Sequence, residues 1–396
     1  MSLSFRLLLL TFLESIASAM VQRGIYFYTH KQFDFSDTLN LTLAIATGAT
    51  YVAGALASHH LARRMREKPL LVVSLAGQLL CHVALFAWPG PVRLFLFAGA
   101  LGCFYGLKWP VVESYISAGR TPAATAKAVG GFNITWAASV PLGVAAAGPI
   151  IDAWPGGLFV VAAGWNLVNI VLALPLATSP THLAQDHPER PRPDEVLRYR
   201  ALLTSSRWSM VLSYGAVWIL AALMPGIFKG LGFEPTRATP LASLIDAGRL
   251  AAFLLMHRFA GWHSRARPLV LAIFALPAGF FMVLFGGSLA VILVGESLFG
   301  LAAGVAYFAA LYYAMVVKNA AVQAGSAHES VIGLGFVAGP AAGLVGAALA
   351  GPLHSYVLGI LAGVGPMFLL AAAGALRPLG KAAAHGPAAP RAGQGN

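Results

Sequence analysis

The sequence predicts an all-α polytopic membrane protein with about twelve spans arranged as two pseudo-symmetric six-helix bundles. Three observations carry this expectation. The first is composition: 58% of the 396 residues are hydrophobic and only 10% are charged, against roughly a quarter charged in a soluble domain. A soluble chain of this length could bury a large core but would still need a charged exterior, so the remaining surface must face lipid. The second is a succession of apolar runs of about 20 residues, each long enough to cross a hydrocarbon layer of roughly 30 Å. The third is the confinement of positive charge to alternate connectors.

In chain order, the spans are read at 6–28, 41–60, 69–88, 92–117, 130–151, 158–178, 206–225, 239–258, 268–286, 289–316, 330–350 and 355–376. These runs are long and continuous, which favours helices over the ten-residue alternation of a membrane barrel. The first span opens with Arg6, the apolar run Leu7 to Leu10, and Ala17-Ser18-Ala19, a pattern that imitates a cleavable leader. Glu14 interrupts that pattern and the apolar character continues to Tyr28, so the segment reads as a membrane helix. Residues 1–178 form the first bundle and 206–377 the second. Between them lies a cytoplasmic linker, 179–205, which includes Pro188-Glu189-Arg190-Pro191-Arg192-Pro193 and is too polar for a core. The tail 378–396 is Ala, Gly, Pro and a few basic residues, a composition expected to be disordered.

The net charge of +12 does not signal nucleic-acid binding, because of where the charges fall. Even-numbered connectors and the two termini hold 19 of the 26 Lys and Arg, and odd-numbered connectors hold only Lys31, Arg93, Lys229 and Arg237. This asymmetry places both termini in the cytoplasm of an integral protein of the cell membrane. Cys81 and Cys103 lie within apolar spans and are read as free packing thiols.

The two halves carry similar devices at matching places. Span four contains Gly102-Cys103-Phe104-Tyr105-Gly106 and span ten contains Gly304-Val305-Ala306-Tyr307. Span five ends with Gly148-Pro149, and span eleven carries Gly339-Pro340. Such correspondence points to an internal repeat, the framework of many carriers.

With these residues in view, the chain resembles the major facilitator superfamily over essentially its whole length. That family's second-to-third-span signature is roughly Gly-x-Leu-Ala-Asp-Arg-x-Gly-Arg-Arg. Here it reads Gly54-Ala55-Leu56-Ala57-Ser58, then Arg63-Arg64, with Ser58 where the family has Asp. The resemblance implies a gating contact between bundles at these residues. The looser second-half counterpart is Gly248-Arg249-Leu250-Ala251, followed by Arg258. The family's Gly-x-x-x-Gly-Pro-x-x-Gly motif is intact in span eleven as Gly335, Gly339, Pro340 and Gly343, and span five departs from it, with Gly143 one residue too far from Gly148. Glycines of this kind let helices approach closely and proline bends them.

Charged side chains near mid-bilayer cost about 3 kcal/mol on the mild insertion scale and are functional hypotheses by default. Glu14 is the leading candidate for proton coupling, followed by Glu296, Glu113, Asp246 and Arg249. The alternatives are a carboxylate satisfied by local hydroxyls for Glu14, and an i,i+3 ion pair for Asp246 with Arg249. Arg23 either snorkels outward or pairs with Asp34 or Asp37. In the carriers this chain resembles, spans one, four, seven and ten line the cavity. Candidate cavity residues are Tyr105, Lys108 and Trp109 in span four, Trp218 in span seven, and Tyr307 and Tyr312 in span ten, with Asn133 and Trp136 in span five as further candidates. Trp109 and Glu113 share a helix face suited to a cationic or amphipathic solute, with Lys108 directed elsewhere. Ser326-Ala327-His328-Glu329 has the spacing of a capping box at the start of span eleven.

There is no nucleotide loop, nucleophile elbow or metalloprotease motif, and the sequence sets no carboxylate or thiol at ligand spacing from His59, His60, His257 or His263. No enzyme, cofactor or metal is expected. The expectation is a monomeric secondary transporter of a small, modestly hydrophobic organic solute by proton-coupled efflux, with the solute, protons and the lipid bilayer as partners and no nucleic acid. Proton-coupled uptake and a non-transporting sensor or lipid-handling role are the alternatives.

Overall fold

The structure, a computed structural model, describes residues 2–118, 122–180, 195–318 and 322–384. Among these residues the chain is helical without strands. The helices are α1 (Leu3–Phe33), α2 (Asp37–Met65), α3 (Glu67–Ala87), α4 (Pro91–Ser117), α5 (Pro122–Ala153), α6 (Gly157–Ala173) and α7 (Val196–Gly230). They continue with α8 (Pro235–Ala242), α9 (Leu244–Arg258), α10 (Arg267–Phe285), α11 (Leu289–Lys318), α12 (Val322–Ala350) and α13 (Tyr356–Ala384). Eleven segments are long and apolar enough to cross a membrane when α8 and α9 are taken as one, and α6 is a shorter apolar helix of 17 residues. At 1.5 Å per residue α6 spans about 25 Å, close to the minimum for a crossing.

Twelve passes bring the chain back to the side where it began. We call that side the proximal face and the opposite side the distal face. Residues 196–205, expected in the linker, form the first turns of α7, and α13 runs past the expected end of span twelve to Ala384. The rest of the expected linker, 181–194, and of the tail, 385–396, lies outside the described residues.

Short turns with specific caps reverse the chain. After α1, Asp34 takes a left-handed conformation at φ 50° and its N–H bonds Thr29 O, a geometry that Asp tolerates better than most residues. Two residues on, the Ser36 hydroxyl accepts from Leu39 N at 3.3 Å and opens α2.

The halves repeat one another in packing. α2 lies on α4 and α1 on α5 in the first half, and α9 lies on α11 and α7 on α12 in the second. Small residues allow the closest of these approaches. A Cβ at Gly54 would sit 2.2 Å from Cys103 O, and one at Gly106 would sit 2.2 Å from Tyr51 O. In the second half, Gly300 makes the equivalent contact, with Ile245 O 2.2 Å from its would-be Cβ. The seams between bundles are also paired, α2 against α12 and α5 against α8 and α9. Large apolar side chains such as Val92, Leu80 and Leu369 stand exposed on the outside, as a lipid-facing surface requires.

Candidate functional site

A cavity of about 130 Å³ lies between the two bundles. Its walls come from α1, α2, α4, α5, α7, α9, α11 and α12, so neither half builds it alone. Aromatic rings dominate the lining: Trp109, Trp136, Trp218, Tyr214, Tyr307 and Phe336. They brace one another at their edges. Trp136 meets Tyr307 at 5.1 Å between ring centroids, and Trp218 meets Phe336 at 4.6 Å. Such contacts hold the rings in fixed orientations and give the cavity a rigid apolar middle.

Charge is placed at the two ends. Towards the proximal face, Glu113 of α4 and Glu329 of α12 both line the cavity, and the Tyr51 hydroxyl of α2 donates to Glu329 Oε2. This contact joins the two bundles. Towards the distal face, Asp246 Oδ1 accepts from Arg249 Nη2 at 3.2 Å. The Arg249 guanidinium also lies 5.8 Å from the Trp136 ring and 5.6 Å from the Tyr214 ring, within range of cation–π attraction. Arg23 enters this group from α1, buried and within electrostatic reach of Asp246 and Glu296. It does not snorkel, and neither Asp34 nor Asp37 is among the charges acting on it. Glu296 is fully buried behind the cavity, and neither of its carboxylate oxygens has a protein partner.

Glu14 has a different setting. It is fully buried inside the first bundle and does not line the cavity. Its Oε1 accepts from Lys108 Nζ and from the Ser18 hydroxyl at 3.0 Å. Its Oε2 accepts from Asn166 Nδ2 at 3.1 Å and Asn169 Nδ2 at 2.8 Å. Every lone-pair direction of this carboxylate therefore has a donor, as a buried charge demands. The network runs on through Gln78 and His82, whose Nδ1 lies 2.8 Å from Asn166 Oδ1. Ser18 is the one member of the Glu14–Lys108 contact that also lines the cavity.

The structure thus sorts the expected residues. Trp109, Trp136, Trp218 and Tyr307 line the cavity, together with Glu113, Asp246 and Arg249. Tyr105 and Lys108 are buried within the first bundle, because Lys108 follows its counter-ion. Its ammonium also lies 4.5 Å from the Trp109 ring, where divergence was expected. Asn133 is buried and accepts from Trp136 Nε1 at 3.1 Å, so it orients a wall residue instead of forming the wall. Tyr312 stacks on His263 at 4.3 Å near the proximal end, away from the cavity.

Of the expected gating residues, Ser58 donates to Leu107 O at 2.8 Å within its own bundle, and Arg63 and Arg64 are exposed at the end of α2. Gly54 packs on α4, and Gly335 and Gly339 pack on α7, again inside single bundles. Gly343 faces Leu41 across the seam, and Pro340 lies within the continuous α12. The contact that α2 makes with the other bundle lies nearer its middle, where Gly48 and Tyr51 meet Phe336. The capping-box reading is corrected outright. α12 begins at Val322, so Ser326 to Glu329 lie inside the helix, and Glu329 turns to the cavity.

The distal face is closed by contacts between bundles. Asp152 at the end of α5 accepts from Thr236 N at 2.7 Å and from the Thr236 hydroxyl across the seam, and from Lys31 of its own bundle. One turn away, Gly148 N donates to the Thr239 hydroxyl at 2.9 Å, and Asn40 Nδ2 donates to Ala222 O at 3.3 Å. Sequence reading missed Tyr51, Tyr214, Glu329 and Asp152. For Glu329 the available signal was a carboxylate ten residues before Gly339-Pro340 on an apolar helix.

Comparison with known proteins agrees with this architecture. No curated protein matches the chain in sequence. Among solved structures, a mutant form of the nucleoside transporter NupG superposes with a TM-score of 0.67 at 12% identity, covering 97% of this chain and 99% of that one. A bacterial homolog of the human lysosomal transporter Spinster, inward-facing and unoccupied, gives a TM-score of 0.64 at 16% identity, covering 96% and 93%. At these identities the likeness shows the fold. The family model of the Major Facilitator Superfamily matches residues 7–340. On that match, over a chain folded as two six-helix bundles around a shared cavity, the protein belongs to the Major Facilitator Superfamily.

Proposed function

We propose that the protein is a secondary transporter that exports a small, modestly hydrophobic organic solute in exchange for protons. Residues 1–178 and 206–377 are the two bodies that rock about the cavity, and both termini lie in the cytoplasm. The observation that carries this reading is the cavity itself: an aromatic chamber at mid-depth, built from both bundles, with carboxyl groups at its ends. A sugar would call for many hydrogen-bonding groups along the walls. The middle of this cavity offers rings instead, which suit an apolar or aromatic body.

Alternating access also needs a side that closes. The Asp152–Thr236 and Gly148–Thr239 contacts supply one on the distal face. Carboxyl groups are the natural carriers of a coupled proton. Those on the cavity wall, Glu113, Glu329 and Asp246, with Arg249 beside the last, are placed to meet both solute and water. Glu296 lies one layer further in and Glu14 is engaged with Lys108. Of the solved structures it resembles, one is a nucleoside transporter and one a bacterial homolog of a lysosomal transporter, and the aromatic walls here suit a flat organic solute.

The test is flux in proteoliposomes. Aromatic and amphipathic solutes are loaded and their release is followed with and without an imposed pH gradient. Gradient-dependent release is expected, falling about tenfold or more in Trp136→Ala, which removes a wall of the cavity. Release that ignores the gradient for every solute would exclude proton exchange, and absence of protein-dependent flux would exclude transport.

A further inference from the structure

Two charged side chains at the distal end of the cavity each have an atom with nothing to bond. Arg23 Nη2 and Asp246 Oδ2 are without a protein partner, and both residues line the cavity. Arg23 is 8% and Asp246 2% exposed, so each is more than nine-tenths buried. Buried charge left unpaired is costly, and two such atoms on one cavity wall mark the place of a ligand. They are opposite in sign and come from opposite bundles, Arg23 from α1 and Asp246 from α9. The two residues lie within electrostatic reach, yet these two atoms do not bond each other.

The other groups at this end are already engaged or set apart. Arg249 donates to Asp246 Oδ1 at 3.2 Å and lies near the Trp136 and Tyr214 rings, so it holds the carboxylate by one oxygen and leaves the other open. Glu296 is buried and does not line the cavity. Ser15 Oγ is also unpartnered, but it precedes Arg23 by about 12 Å along the axis of α1, too far to share one polar group.

The pairing of free charges selects what fits. A cation resting on Asp246 would face the Arg23 guanidinium, and an anion resting on Arg23 would face the open oxygen of Asp246. Like charges placed so, away from water, oppose binding. A group that carries both charges meets each with its opposite. The rings continue directly from this end. Tyr214 meets Phe336 at 5.6 Å and Trp218 meets it at 4.6 Å, so an apolar body attached to the charged group enters the aromatic middle.

We infer that the solute is an aromatic zwitterion of the α-amino acid kind, with its carboxylate on Arg23, its ammonium on Asp246 and its ring among Trp136, Trp218 and Phe336. This rests on the transporter reading above and names the class of its substrate. The charged head spans the seam, because the first bundle holds the carboxylate and the second holds the ammonium. Taking either charge from the solute removes one bundle's hold and adds a repulsion. Arg249 acts through Asp246 and is a positioning residue.

The experiment uses the purified full-length protein and three radiolabelled compounds with one indole body. Tryptophan carries both charges, tryptamine the ammonium alone and indole-3-propionate the carboxylate alone. Equilibrium dialysis at neutral pH measures the affinity of each. Tryptophan is expected to bind about tenfold or more tightly than either analogue. Arg23→Gln should bring tryptophan down to the affinity of tryptamine, with tryptamine held as well as before or better. Asp246→Asn should do the same with respect to indole-3-propionate. That reciprocal pattern separates recognition from a structural role, which would weaken all three compounds alike. The wild-type comparison decides the charge requirement even where one variant does not fold. Equal binding of either analogue, no binding of tryptophan, or an equal loss of all three in Arg23→Gln overturns the inference. Gradient-driven flux of other solutes in the same preparation, alongside any of those results, would leave the transporter standing and remove only this site. The full binding pattern without flux of any solute would keep the site and remove the transporter.

Discussion

At the scale of single residues, the clearest contrast is between two carboxylates that look alike in sequence. Glu14 and Glu329 each interrupt an apolar stretch. Glu14 was legible as an intramembrane charge, but its partner was not, because Lys108 is 94 positions away and only the packing of α1 against α4 joins them. The same packing makes Glu14 one arm of an ion pair, its carboxylate held by four donors. The expected outcome for Glu14→Gln is a loss of stability of about 3–5 kcal/mol, since it strands the Lys108 ammonium in the bundle. Thermal unfolding in detergent checks it, and the double change Glu14→Gln with Lys108→Met should recover most of the loss. A Glu14→Gln protein that keeps its stability but loses proton-coupled flux would assign Glu14 to coupling instead. Glu329 was misread for a local reason. Its S-x-x-E spacing imitates a cap, and the span was taken to begin at 330, whereas α12 starts at Val322 and carries the residue onto the cavity wall.

At the scale of helices, hydrophobic runs located the eleven segments long enough to cross and the shorter α6, and their lengths were underestimated where polar residues continue a helix. α7 starts at Val196 and α8 at Pro235, both earlier than apolar character alone suggests. The glycine signals were legible as close contacts but not as to which helices they join. Gly54 and Gly106 serve the α2–α4 interface, so Gly54→Ala or Gly106→Ala should lower stability by about 1–3 kcal/mol through displaced backbone. Gly164 in α6 is a suitable control. A Cβ there meets nothing within 4 Å, and alanine should be neutral or stabilising by up to about 1 kcal/mol. Unfolding temperatures for the three variants decide between packing and a general intolerance of change.

At the scale of the whole molecule, the internal repeat was visible in paired motifs, and the structure gives it a physical form. The seams α2–α12 and α5–α8/α9 occupy equivalent positions in the two halves. The distal closure was not legible, because Asp152, Thr236 and Lys31 lie in three separate stretches of sequence. Asp152→Ala removes both hydrogen bonds to Thr236 across the seam and should shift the population towards a distally open form. With Cys81 and Cys103 replaced and a cysteine placed at Val217 on the cavity wall, a membrane-impermeant maleimide added on the distal side should react several-fold faster in this variant. Unchanged reactivity would show that the Gly148–Thr239 and Asn40–Ala222 contacts hold the face closed without Asp152.

The separation of Glu14 from Lys108 also bears on how the protein is made. α1 leaves the ribosome carrying a carboxylate whose counter-ion is still 94 residues from synthesis. At translation rates of about 5–20 residues per second, that interval lasts roughly 5–20 seconds. Through it, the nascent first helix must be held by the insertion machinery, by water at the bilayer surface or by a bound proton. Quality-control proteases would therefore meet chains truncated before α4 as unfinished, and chains ending just after it as competent to settle in the membrane.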